Sequence, residues 1–155
     1  MRAQVMRASG VGWVYIALLM LGCAEMHAQS AEMKLQAYLL WGTDDTKPPE
    51  GKNYKPVNPE IKNKLRELPL KWTNWFEVNR KDVSVQQGAN MEVSISEKCQ
   101  VTLKRFGVSE LEVSLIGKGK EVVKRKQTLP KGEMLVLGGN APNATAWLVV
   151  LKRIE

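Results

Sequence analysis

Five cationic side chains, Lys118, Lys120, Lys124, Arg125 and Lys126, lie close together in a 155-residue chain of net charge +7. Such clustering suits a positive ridge for an anionic polymer, a cell-wall phosphate polymer or acidic polysaccharide. The same lysines would also keep an edge hairpin soluble by discouraging sheet-to-sheet pairing. Trp75, in the segment WTNWFEV with Trp72 and Phe76, is a second candidate contact. An exposed indole is a platform for a sugar ring or partner protein, unless a helix covers that side of its strand. Asp44 and Asp45 place two carboxylates in one loop. Calcium takes about six to eight oxygens, and the loop offers Lys47, Lys52 and Lys55 instead, so capping a turn is their expected role. Cys99 shares a strand face with Val101 and Leu103, which predicts a buried and unreactive thiol.

The first thirty residues have the plan of an export signal. Arg2 and Arg7 precede the apolar run VGWVYIALLML at 11–21, and Ala28 and Ser30 supply small residues where a signal peptidase reads. Cleavage after Ser30 is expected, leaving 31–155 as a single domain. The apolar run is shorter than the roughly 20 residues that a membrane-spanning helix needs. Met20-Leu21-Gly22-Cys23 resembles the lipobox of bacterial lipoproteins, with Met where Leu is usual and Leu21 where a small residue is usual. That resemblance implies an alternative in which Cys23 carries lipid and the domain is anchored to the membrane through it. Asn143-Ala144-Thr145 fits the N-glycosylation pattern, which carries no weight beside a leader of bacterial type.

Removing 1–30 leaves 21 basic and 15 acidic residues, a net charge of +6, and takes away His27, the only histidine. A histidine-based triad or histidine-bearing zinc site cannot then be built. With Cys99 as its one cysteine, the domain has no internal disulfide and must be held by its core. Paired carboxylates are the remaining hydrolytic device, and no pair stands out. Neither catalysis, cofactor nor metal is expected. The composition and leader point to an exported, non-catalytic bacterial β-domain, periplasmic or extracellular, serving as a binding or structural module at the cell envelope. Its partner would be an anionic envelope polymer or an envelope protein. The alternative is an accessory or inhibitor subunit of another exported protein, and a carboxylate-dependent hydrolase ranks below both. Export argues against nucleic acid, and membrane contact would come only through Cys23.

The elements that position these residues are mostly short strands. Residues 33–41 alternate, with Met33, Leu35, Ala37, Leu39 and Trp41 on one face. Asn58-Pro59-Glu60 opens a helix with an N-cap, a proline at the first position and an acid at the positive end. Ile61, Leu65 and Leu68 form its apolar stripe, so the helix should cross a sheet or plug one end of it. Strands are then expected at 72–78, 83–86, 91–96, 99–105, around 111–115, and at 121–129, the last two joined as a hairpin through Gly117-Lys118-Gly119-Lys120. Residues 133–137 and 146–151 form a closing hairpin, and AWLVVL, apolar on both faces, reads as a central strand buried on two sides. Eight or nine antiparallel strands with one short helix predict an all-β sandwich, immunoglobulin-like in architecture. The plan is similar to that of many exported bacterial β-domains, a likeness that carries no functional residue.

Overall fold

The computed structural model describes residues 32–140 and 145–155. They form β1 (Met33–Thr43), β2 (Lys55–Pro56), α1 (Pro59–Arg66), β3 (Asn74–Val85), β4 (Asn90–Ser96), β5 (Cys99–Arg105), β6 (Glu110–Gly117), β7 (Lys120–Thr128), β8 (Met134–Asn140) and β9 (Ala146–Arg153). The first sheet runs β2-β3-β1-β9-β8 and the second β4-β5-β6-β7, with every pairing antiparallel. The chain is an all-β sandwich with one short helix. The expected leader, with Cys23 and the lipobox-like segment, lies outside the described residues, as do Asn143 and Ala144 of the glycosylation triplet. No helix among the described residues is long and apolar enough to cross a membrane.

Strand alternation builds the main core. Met33, Leu35, Ala37 and Leu39 of β1 cluster with Val101 and Leu103 of β5 and with Leu111, Val113 and Leu115 of β6. Each such leucine withdrawn from water contributes about 1.5–3 kcal/mol before entropy is charged against it. A second core lies on the outer face of the first sheet. There Ile61 and Leu65 of α1 pack with Tyr38, Leu40, Leu148 and Val150. The helix therefore covers the sheet from outside rather than closing its end. Asn58 Oδ1 accepts from the Ile61 N–H at 2.8 Å, and Glu60 in the first turn pairs with Lys152 of β9. Because Val149 and Leu151 face the main core while Leu148 and Val150 face the helix, β9 is buried on both sides.

One boundary departs from the sequence reading. The expected strands at 72–78 and 83–86 are one strand, β3, continuous through Asn79 and Arg80. A register shift between Leu39 and Leu40 takes up one extra residue there, a bulge that lets pairing with β1 resume on each side. The Asn79 amide donates to the Ile95 carbonyl of the other sheet at 2.6 Å, so this polar pair ties the layers together instead of turning the chain.

The end of the sandwich near the β5–β6 loop is closed by two buried arginines. Arg105 donates to the carbonyls of Val85 at 3.0 Å and Gly107 at 2.9 Å. Arg153 donates to the Leu129 carbonyl at 2.9 Å and the Ser109 hydroxyl at 2.8 Å.

Candidate functional site

At the opposite end the sheets part around a cavity of about 510 Å³. It is framed by the last turn of β1, the start of β9, and the two hairpin turns of the second sheet. That volume lies within the roughly 300–1,000 Å³ range of small-molecule sites. Trp41 and Trp147 sit opposite each other on β1 and β9, so both indoles leave the sheet on the same face. Tyr54 meets the Trp41 ring at 6.2 Å between centroids, and Phe76 meets it at 6.0 Å from the other side. Across the cavity stand Cys99 and Gly117, a register pair on β5 and β6, and Val122 of β7. Gly117 makes room for the indole. A Cβ there would stand 3.3 Å from Trp147 Cζ2 and 3.1 Å from Val122 Cγ2.

Among the described residues the charged side chains of the lining are Lys98 and Lys118, with no acid beside them in it. Lys98 ends the two-residue turn between β4 and β5, and Lys118 opens the turn between β6 and β7. The Lys118 N–H donates to the Lys98 carbonyl at 2.8 Å, which fastens one turn to the other. Lys118 has φ 50° and Gly119 φ 76°, the left-handed pair that a tight two-residue hairpin requires. Cys99 is 4% exposed, and burial pushes its thiol up to about 11, so it forms an inert wall rather than a nucleophile.

The residues singled out from sequence do not form one surface. Lys120 begins β7 and is exposed at the hairpin base. Lys124 lies on the outer face of the second sheet, 3.2 Å from Glu112, and Lys126 lies on that face with its ammonium 4.4 Å from the centre of the Phe106 ring. Lys104 approaches the same ring at 5.1 Å. Arg125, opposite Val113, points to the core side of the exposed edge strand. Trp75 is on the other sheet altogether. It faces α1 with its ring over Gly42 and edge-on to Trp72 at 6.2 Å, half-buried in the second core. Thr43 and Asp45 cap the turn together, the Asp45 N–H donating to Thr43 Oγ1 at 3.1 Å and Asp45 Oδ2 accepting from that hydroxyl at 3.3 Å. Among the described residues no cluster of three or more His, Cys, Asp or Glu side chains could hold a metal ion.

Trp41, Tyr54, Trp147 and Lys98 escape the sequence reading because they come together only through the sheet order. One signal was present: Trp41 ends the alternating apolar stripe of β1, where the core stops and an end cavity begins. No family model, curated protein or solved structure matches the chain.

Proposed function

We propose that this chain is an exported, non-catalytic binding module of the bacterial cell envelope whose ligand enters the cavity at the Trp41–Trp147 end of the sandwich. The carrying observation is the cavity itself: about 510 Å³, walled by aromatic and aliphatic side chains, with two lysines as its charged lining. Buried apolar area supplies affinity in such sites, and a few polar groups set orientation. Export rests on the Arg2, Arg7 and 11–21 pattern of the leader. The test uses the neutral fluorophore N-phenyl-1-naphthylamine. Wild type should bind about one equivalent with enhanced emission, and Val122→Trp, which fills the mouth from an exposed strand position, should abolish the signal. No enhancement by wild type, or equal enhancement by Val122→Trp, would overturn the reading.

A second reading is favoured by the outer face of the second sheet, where Lys104 and Lys126 bracket Phe106 beside Lys124. That face suits weak contact with an anionic envelope polymer. Binding there should fall steeply with added salt and be lost when Lys120, Lys124 and Lys126 are changed to Glu. Salt-independent retention would sink it.

A further inference from the structure

We infer that the cavity's ligand is an amphiphile with an apolar body and an anionic end, a carboxylate or a phosphate, held at the rim by Lys98 and Lys118. The inference rests on the binding reading above and narrows it to a chemical class.

Three observations carry it. First, the charge of the lining is one-sided among the described residues, with two lysines and no carboxylate, which favours an anion over a cation. Neither lysine forms an ion pair with an acid of the described residues, leaving both ammonium groups available. Second, the two residues are fastened together through the bond from the Lys118 N–H to the Lys98 carbonyl, which sets both side chains at one rim before any ligand arrives. Preorganisation of this kind lowers the cost of binding. Third, Lys118 occupies a left-handed backbone position, φ 50°, that glycine, asparagine or aspartate would fill at lower cost. The strained backbone turns the Lys118 side chain into part of the cavity lining. Below that rim the walls change to Trp41, Tyr54 and Trp147, which offer an apolar tail their ring faces.

The experiment displaces N-phenyl-1-naphthylamine from the folded domain with four probes of equal chain length, each below its micelle concentration: dodecanoate, dodecyl phosphate, dodecanol and dodecyltrimethylammonium. Both anions should compete at least about tenfold more tightly than dodecanol, as a charge-assisted hydrogen bond implies, and the cation should be weakest. Lys98→Gln with Lys118→Gln should bring the anions down to the level of dodecanol and leave dodecanol unchanged. Preference for the phosphate over the carboxylate would assign the ligand to phosphorylated lipids, and the reverse order to fatty acids. Dodecanol competing as well as the anions would overturn the inference while leaving the cavity a binding site. An unaltered anion preference in the double glutamine variant would overturn the assignment to these lysines. Failure of the fluorophore itself to bind would remove the underlying reading instead.

Discussion

The wall position of Cys99 makes a quantitative demand on its chemistry. Its thiol is raised from an ordinary 9.0 to about 11 by burial alone. At pH 8 the thiolate fraction then falls from about one in ten to about one in a thousand, and only the thiolate attacks a disulfide reagent. Ionisation therefore slows labelling roughly a hundredfold, before any hindrance from the 4% exposure of the residue. The assay follows reaction with an aromatic disulfide in a Cys23→Ser background, so that the signal belongs to Cys99. Rates are compared at pH 8 in buffer and in guanidinium chloride. The sign is fixed by the direction of the shift. Because the charged form is disfavoured in the folded chain, the native rate should keep rising about tenfold per pH unit up to about 11, while the unfolded rate levels off near 9. A native rate within tenfold of the unfolded rate at pH 8, or a native plateau near pH 9, would show that the thiol stands in the solvent of the cavity and that the packing argument fails.

Three further outcomes follow from the packing and the charges. Gly42→Ala would put a methyl carbon 2.4–2.8 Å from ring carbons of Trp75, and should lower unfolding free energy by about 1–3 kcal/mol, with Trp75→Leu in the same chain recovering part of the loss. Equal denaturation midpoints for wild type and Gly42→Ala would contradict that contact. Arg105→Met removes donors from the Val85 and Gly107 carbonyls in a buried setting, and should cost about 2–4 kcal/mol in the same assay; a negligible change would mean that water serves those carbonyls equally well. Lys34, 2.6 Å from Glu155, holds that carboxyl below its ordinary pKa by donating a hydrogen bond and by its charge. The pair is intact above the ordinary carboxylate range and is lost as pH falls through the lowered value, so carbon NMR should show the Glu155 titration moving upward in Lys34→Ala. An unmoved midpoint would deny the pairing.

Local pattern accounts for most of the strands and for the helix start, because those features depend on near neighbours. Alternation in β1, β4, β5 and β6 reports directly which side chains meet the core, and Asn58-Pro59-Glu60 contains its own capping geometry. The continuous apolar AWLVVL likewise marked β9 as covered on both faces. What covers its outer face, α1, is a matter of where a distant segment docks, which periodicity cannot state. The break expected between 78 and 83 is absent for a related reason. The Asn79 side chain accepts locally from the Arg80 N–H, but its amide nitrogen also reaches the Ile95 carbonyl across the sandwich, and the strand runs on. Strand geometry divides the basic residues between two faces. Neighbours along a strand project to opposite faces, so Lys124 and Lys126 separate from Arg125 however close they are in sequence. The cavity is harder still to foresee, since its aromatic walls come from β1, β9 and the segment before β2.

The strand order has a kinetic meaning as well. β1 lies between β3 and β9, with Leu35 in register with Arg153, so the first strand cannot be flanked on both sides until the last one is available. Contacts of such long sequence separation make closure of the sandwich a late and slow event in folding. An emerging chain that has not yet released β9 lacks Val149 and Leu151 from the main core and Leu148 and Val150 from the outer one. For the exported module proposed above, the same pairing that completes the sheet would also delay its completion until translocation is over.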